Sequence, residues 1–207
     1  MHDPTLAEYK GRIRRELKSR RTQLTDQQQA NAESALAQKL LGSLFMMSTK
    51  RIGLYFSCKG EIGTFPLIQK LLLDAKKQVF VPVVSGERMR FQKVDEQTPL
   101  LLNRYGITEP EPDPLKVINP RFLDLVCVPL VGFDADLNRL GMGGGFYDRT
   151  FAFRQGRGHK PFLLGIAHQC QMYEQPLPTE SWDIKLDAVL TDKDWYFPGS
   201  EKQKPTD

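Results

Sequence analysis

This chain is poor in the residues that most protein chemistry uses. Its three cysteines, Cys58, Cys127 and Cys170, are odd in number and far apart, which argues against a disulfide framework and against a zinc cluster. Cys127 lies inside an apolar run and reads as a core residue. There are also only three histidines. His2 stands at the start, His159 sits in a polar Gly-His-Lys stretch, and His168 follows an apolar run, where a structural role is the commoner one. No Ser-His-Asp arrangement suggests itself, and no His/Cys spacing suits zinc. No apolar run approaches the roughly 20 residues that cross a bilayer. The opening Met1-His2-Asp3-Pro4 is not a basic stretch followed by an apolar one, so no secretory signal is expected. The expected setting is a reducing cytoplasm, with no membrane partner. No internal repeat is visible.

A length of 207 residues allows one substantial core. The net charge of +4 is unevenly spread. Lys10, Arg12, Arg14, Arg15, Lys18, Arg20 and Arg21 face a single nearby acid, Glu16, so this one segment is more positive than the whole chain. Such a block suits nucleic acid, the solvated face of a helix, or a bound triphosphate. It carries no interleaved aromatics and no recognisable nucleic-acid module, which ranks nucleic acid last.

Leu6, Ile13, Leu17 and Leu24 share a helical stripe and predict a helix over about 5–24. Thr25 and Gln28 form a capping-box pattern that opens a second helix running through Leu36, Leu40 and Leu44. The period then shortens. Residues 52–56 read as a buried strand, and Thr64 is placed to cap a helix reaching Leu73, with Pro66 in its first turn. Residues 79–84 read as a strand and 88–94 as an edge hairpin partner. Residues 109–114, with three prolines, read as a stiff extended connector. Residues 123–131 form the continuous apolar run of a central parallel strand, and further strands are expected at 162–167 and 188–191. Alternating strands and helices imply an α/β three-layer sandwich with a mostly parallel sheet, helices on both faces and an N-terminal helical pair. The whole of 1–198 reads as one domain, followed by a polar, disordered tail over 199–207.

What is abundant is glycine, at one place. In Arg139-Leu140-Gly141-Met142-Gly143-Gly144-Gly145-Phe146-Tyr147-Asp148-Arg149, four of five consecutive positions are glycine. Glycine costs backbone entropy in helices and strands, so this is a loop whose bare amides approach something closely, and a helix start follows it. A glycine loop entering a helix is a phosphate cradle in outline. It lacks the Gly-Lys-Ser/Thr of a P-loop and does not fit a dinucleotide fingerprint. Arg139 and Arg149 can pair with phosphate oxygens, and Asp148 can hold magnesium beside them. Ligands of open α/β sheets bind at the carboxyl ends of strands. The glycine loop follows the central strand at that edge, and Glu61 follows the first strand at the same edge.

The stretch Pro129-Leu130-Val131-Gly132-Phe133-Asp134, followed by 139–149, resembles the signature of the 5-formyltetrahydrofolate cyclo-ligase (methenyltetrahydrofolate synthetase) family. Lys10-Gly11-Arg12-Ile13-Arg14, Tyr55-Phe56-Ser57 with Glu61-Ile62-Gly63-Thr64, and Lys185-Leu186-Asp187-Ala188-Val189 agree in order and spacing. The resemblance spans about residues 8–197. It implies ATP- and magnesium-dependent cyclisation of 5-formyltetrahydrofolate to 5,10-methenyltetrahydrofolate, through phosphorylation of the formyl oxygen. It further implies ATP contacts at Lys10, Gly11, Arg12, Ile13 and Arg14, and along Arg139, Leu140, Gly141, Met142, Gly143, Gly144, Gly145, Phe146 and Tyr147. Lys10 and Arg149 are taken as the catalytic cations. Folate contacts fall on Glu61, Phe56 and Tyr105 together with Gly145, Phe146 and Tyr147. Asp148 and Asp187 match the magnesium-binding aspartates, with Asp183 a neighbouring competitor.

Two departures from the family pattern stand out. Some members carry basic residues within the glycine loop, where this chain has Met142 and Gly144. Leu137 occupies a turn position that is often glycine, and Asn138 is the residue expected to supply a left-handed conformation there. The expected partners are a reduced folate and ATP, acting on a monomer. The alternatives are a sugar-phosphate isomerase or CoA-transferase-like enzyme of similar fold, and a nucleic-acid binder using the basic first helix.

Overall fold

The structure is a computed structural model that describes residues 5–103, 106–155 and 160–199, and only the backbone of Ser85 and Arg88. Five helices are present among these residues: α1 (Leu6–Thr22), α2 (Asp26–Leu41), α3 (Leu44–Ser48), α4 (Phe65–Leu72) and α5 (Phe146–Phe151). The strands are β1 (Arg51–Gly53), β2 (Gln78–Ser85), β3 (Arg88–Val94), β4 (Leu100–Leu102), β5 (Thr108–Pro110), β6 (Val117–Ile118), β7 (Leu125–Pro129), β8 (Gly132–Phe133), β9 (Arg139–Leu140), β10 (Phe162–Ala167), β11 (Ala188–Thr191) and β12 (Trp195–Tyr196). None of the described helices is long and apolar enough to cross a membrane.

Eight strands form one sheet in the order β12-β11-β10-β7-β1-β2-β3-β6. Its five central strands are parallel, and β12, β3 and β6 add antiparallel edges. The mostly parallel α/β sandwich expected from the sequence is therefore what forms. Alternation along β7 assigns the faces. Leu125 and Cys127 join a cluster with Leu36, Leu40, Leu67 and Leu71 of α2 and α4. Val126 and Val128 point the other way, to Phe91, Phe151, Ile184 and Leu186. That second layer is thin, built from short α5 and the loop leading into β11. The helix α1 lies instead across the carboxyl edge, where Ile13 and Leu17 pack on Val131, Leu140 and Leu177.

Local signals explain most element starts. Thr5 and Glu8 form a reciprocal cap at α1, and Thr25 and Gln28 do so at α2. The second helix stops at Gly42, and Leu44 starts the separate α3. Thr64 stands at the α4 N-cap without capping it; its hydroxyl donates to the Tyr55 carbonyl instead. The proline-rich connector is extended, but Thr108–Pro110 pairs with Leu100–Leu102 in a two-stranded sheet. A second ribbon, β8 with β9, was equally invisible to periodicity, because two-residue strands carry no pattern. His2, His159 and the tail beyond Gly199 lie outside the described residues.

The turn between β8 and β9 departs from expectation. The left-handed residue is Leu137 itself, at φ 60°, and not Asn138. Asn138 is occupied in bonding the buried Asp134, whose Oδ1 accepts the amides of Asp136 (3.0 Å) and Asn138 (2.9 Å). Its Oδ2 accepts Asn138 Nδ2 and the Leu177 amide, each at 2.8 Å. The carboxylate organises the turn, and burial of the Leu137 side chain, 1% exposed, offsets the backbone strain. A left-handed leucine costs about 1–2 kcal/mol, whereas deleting a buried leucine side chain costs about 3–5 kcal/mol. Leu137→Gly is therefore expected to destabilise the fold by about 2 kcal/mol or more, read as a lower urea midpoint. An unchanged or higher midpoint would show that strain outweighs burial here.

Candidate functional site

Two adjacent parallel strands decide where the site lies. The chain leaves β1 towards β2 on one side of the sheet, and leaves β7 towards β10 on the other. Loops diverging from neighbouring carboxyl ends open a crevice between them, the usual ligand position in such sheets. A cavity of about 990 Å³ occupies that crevice. Its walls include Tyr55, Phe56, Cys58 and Glu61 after β1, Pro129 and Leu130 at the end of β7, and the whole stretch from Arg139 to Arg149. The amino-terminal half of α1 contributes Lys10 and Arg14.

The glycine loop has the conformation its composition suggested. Gly143 (φ 103°) and Gly145 (φ 63°) take backbone angles that side chains resist, and a Cβ on Gly145 would fall 2.7 Å from Arg149 Nη1. Among the described residues, the amides of Gly143, Gly144 and Gly145 donate to no backbone carbonyl. Arg14 lies over the loop, its Nε donating to the Gly141 carbonyl at 2.8 Å. Met142 is exposed.

Every cation near the loop has an internal partner. Lys10 Nζ is 2.9 Å from Asp183 Oδ2 and 3.9 Å from Glu180. Arg139 Nη2 meets Asp148 Oδ1 at 2.5 Å, and its guanidinium also lies over the Tyr147 ring. Arg149 donates to the Glu87 carbonyl at 3.3 Å and stacks on Phe146. Asp148 Oδ1 accepts the Ile184 amide at 3.2 Å as well, while its Oδ2 accepts nothing among the described residues. Burial pushes the Tyr147 hydroxyl well above its ordinary range, so it stays protonated.

On the opposite wall, Cys58 to Glu61 forms a turn with positive φ at both central residues, Lys59 (50°) and Gly60 (75°). The Glu61 amide donates to the Cys58 carbonyl at 3.0 Å. Glu61 Oε2 in turn accepts the Cys58 amide at 3.1 Å and its thiol at 3.6 Å. Burial pushes that thiol up to about 11, which removes it as a nucleophile at neutral pH. Beneath the turn lies Arg21, 1% exposed, whose Nη2 holds the Lys59 carbonyl at 2.9 Å and whose Nη1 holds Leu130 at 3.3 Å. Sequence reading did not single out this residue. The available signal was position, since Arg21 falls four residues after Leu17 on the buried stripe of α1. His168 is buried against the same region, and burial lowers its proton affinity, as suits a structural histidine.

The expected residues divide into those the fold gathers and those it does not. Lys10, Arg14, Phe56, Glu61, Arg139, Leu140, Gly141, Met142, Gly143, Gly144, Gly145, Phe146, Tyr147, Asp148 and Arg149 all line the cavity. Gly11, Arg12 and Ile13 do not: Ile13 is in the core, and Arg12 faces outward over Tyr9. Asp187 lies at the amino ends of β10 and β11, away from the crevice, with its carboxylate bonded to Arg154 (2.8 Å) and the Leu163 amide (2.7 Å). The structure thus does not bring Asp187 to Asp148. Tyr105 lies outside the described residues. Among the described residues no three His, Cys, Asp or Glu side chains group as a metal cage. Magnesium on a nucleotide needs none, since it typically takes one or two carboxylates plus phosphates and water. Asp148 and Asp183, both in the cavity wall, fit that oxygen-only requirement.

Comparison with known proteins identifies the family and the fold. Residues 7–192 match the sequence profile of the 5-formyltetrahydrofolate cyclo-ligase family. The 5-formyltetrahydrofolate cyclo-ligase of Haemophilus influenzae is 41% identical over 181 residues, covering 86% of this chain and 95% of that protein. The Escherichia coli K12 enzyme of the same name is 38% identical, covering 84% of this chain and 96% of its own length. Among solved structures, the NMR structure of Aquifex aeolicus 5,10-methenyltetrahydrofolate synthetase superimposes with a TM-score of 0.79 at 27% identity, covering 95% of this chain and 96% of the other.

The Glu61 carboxyl is titratable evidence for the dryness of its wall. Burial is the largest influence and raises its proton affinity, against the Cys58 amide and the Arg21 and Lys59 charges, which lower it. Below about pH 4, folded and unfolded chains both carry the proton. As pH rises, the unfolded chain ionises first, so stability falls between the ordinary carboxylate value and the raised folded one. Glu61→Gln removes that loss. Its stability relative to the parent is expected to rise with pH above about 4 and to level once the folded carboxyl has ionised, as read from denaturant midpoints. A difference independent of pH would mean the carboxyl is as well solvated as on the free chain.

Proposed function

The chain belongs to the 5-formyltetrahydrofolate cyclo-ligase family, and from that premise we propose that the crevice between β1 and β7 binds ATP and 5-formyltetrahydrofolate side by side and closes the folate to 5,10-methenyltetrahydrofolate. The observation that carries this reading is the convergence of unengaged glycine amides and four cations, Lys10, Arg14, Arg139 and Arg149, on one wall of the cavity that Glu61 and Phe56 line on the other. Anion-binding groups and a drier, aromatic wall suit a triphosphate facing a heterocycle.

The chemistry asks the protein for position and charge, not for a covalent nucleophile. The formamide oxygen attacks the γ-phosphorus, the bond to the β-phosphate oxygen breaks, and ADP leaves. The formyl carbon is then an iminium carrying phosphate. The neighbouring folate nitrogen adds to that carbon, the carbon–oxygen bond breaks, and inorganic phosphate departs with the nitrogen's proton. The loop amides hold the transferring phosphoryl group, while Lys10, Arg139 and Arg149 balance the charge that moves onto ADP. Asp148, with Asp183, would hold magnesium, which supplies further neutralisation of the triphosphate when bound. Glu61 and Phe56, with Tyr105, contact the folate.

The nucleic-acid alternative loses part of its support in the fold. Lys10 and Arg21 are buried and Arg14 bonds the glycine loop, which removes three cations of the block from the solvent face. The three cysteines are unpaired thiols, in keeping with a cytoplasmic enzyme, which we take to act as a monomer.

Mixing the protein with 5-formyltetrahydrofolate, ATP and magnesium is expected to produce the methenyl absorbance, and omission of any one component to abolish it. Absorbance growing without ATP would sink the phosphoryl-transfer reading. Lys10→Ala is expected to raise the ATP KM about 10- to 100-fold, the worth of a charge-assisted contact, with little change in the folate KM. Asp148→Asn is expected to raise the magnesium requirement while leaving the fold intact by circular dichroism; a magnesium dependence equal to the parent's would remove its role.

A further inference from the structure

The cavity holds one large aromatic side chain that neither the sequence reading nor the mechanism above employs. Trp182 is 61% exposed, yet it lines the same cavity as the glycine loop. Among the described residues its ring stacks on no other aromatic and its indole N–H donates to no protein acceptor. An indole left in water forfeits a large apolar area, so its exposure here calls for an occupant.

The backbone around Trp182 is firmly held. The Asp183 amide donates to the Glu180 carbonyl at 3.0 Å, and Asp183 Oδ2 accepts the Glu180 amide at 2.9 Å, which closes a tight turn with Trp182 inside it. Asp183 is also the partner of Lys10 at 2.9 Å, and the next amide, from Ile184, binds Asp148 at 3.2 Å. The two residues that follow Trp182 are thus tied directly to a group assigned to the phosphates and to a group assigned to the metal. The turn sets the Trp182 backbone beside the triphosphate cradle, on the α1 and β10 side of the crevice. Phe56, Glu61, Val84 and Ile107 belong to the β1 and β2 side, across the glycine loop.

We infer that the Trp182 indole is the stacking platform for the base of the bound nucleotide. This rests on the nucleotide reading above and adds to it the place of the base. A planar base joined through ribose to phosphates in the glycine loop finds a flat, exposed ring on that side, carried by a backbone turn that is held in place. Stacking of this kind is tolerant of base identity and contributes roughly 5- to 150-fold in affinity.

The experiment measures binding of magnesium-ATP and of inorganic tripolyphosphate, which has no base, to the full chain by calorimetry. Trp182→Ala is expected to lose roughly 5- to 150-fold in ATP affinity and to bind tripolyphosphate like the parent. Trp182→Phe, which keeps a ring, is expected to retain most of the ATP affinity. ATP is expected to quench tryptophan fluorescence in the parent and not in Trp182→Phe, where only Trp195, already stacked on Phe197 at 5.7 Å, remains. Unchanged ATP affinity in Trp182→Ala overturns the inference and leaves the nucleotide site standing. Equal losses for ATP and tripolyphosphate overturn it too, because they would trace to the turn that holds Lys10. A loss confined to folate affinity would assign the ring to the other ligand. A parent protein that binds neither probe would remove the nucleotide reading itself.

Discussion

The divergence of the chain from two neighbouring strand ends is the constraint on which the site depends. Because β1 turns towards β2 and β7 turns towards β10, neither connection can cover the space between their carboxyl ends. Helix α1 roofs part of that space, and its seating explains why it is both apolar and basic. Ile13 and Leu17 seal it to Val131 and Leu140, and Lys10, Arg14 and Arg21 project from the same inward side. Leu17 packs so closely on Gly132 that any side chain there would collide with it. One helix thus delivers three cations to three places: an acid pair, the glycine loop and the turn that carries Glu61.

Two cations of the site are held in ion pairs. Lys10 with Asp183 and Arg139 with Asp148 are partly buried pairs whose desolvation is already met by their partners. A triphosphate bound as proposed would therefore exchange partners and not meet bare charge. Gross attraction is reduced by that exchange, but the cations stand in fixed positions before the ligand arrives, so little side-chain entropy remains to be lost. The exchange would also free carboxylate oxygens for a phosphate-borne cation. A cradle of amides alone would lack this reciprocity.

Legibility from sequence followed the physical origin of each feature. The glycine run was readable because only backbone demands produce it, and the capping box at Thr25 because its bonds are local; the equally local box at Thr5 was passed over. The carboxyl-edge placement of Glu61 and the loop followed from strand order. What escaped reading depended on tertiary neighbours. Arg21 looks like one more member of a basic block until Leu130 and Lys59 supply its partners. Trp182 is an ordinary tryptophan until the turn beside Lys10 is built. Asp187 resembles a ligand in its motif, yet its carboxylate serves the start of β11 through Leu163 and Arg154. Leu137 takes the left-handed angle because its side chain has a core to enter, which no turn rule on local sequence can weigh.

The glycine loop itself shows how a missing charge is made good. Where some family members have basic residues, this chain has Met142 and Gly144, and a cation on the loop would be a mobile side chain projecting from a strained backbone. Here the charge comes from α1. The Arg14 guanidinium lies about a van der Waals contact above Gly143, and a Cβ built there would sit 3.8 Å from its Cζ. Its Nε bond to the Gly141 carbonyl leaves both Nη groups for an anion among the described residues. That bond also holds the loop against the helix, so one side chain shapes the cradle and charges it. A cation rooted in a helix with Ile13 and Leu17 in the core is better placed than one on the loop, since the loop's glycines then need only present amides. Positive charge beside the glycines thus comes from a helix contact as well as from Arg139 and Arg149 at the two ends of the motif.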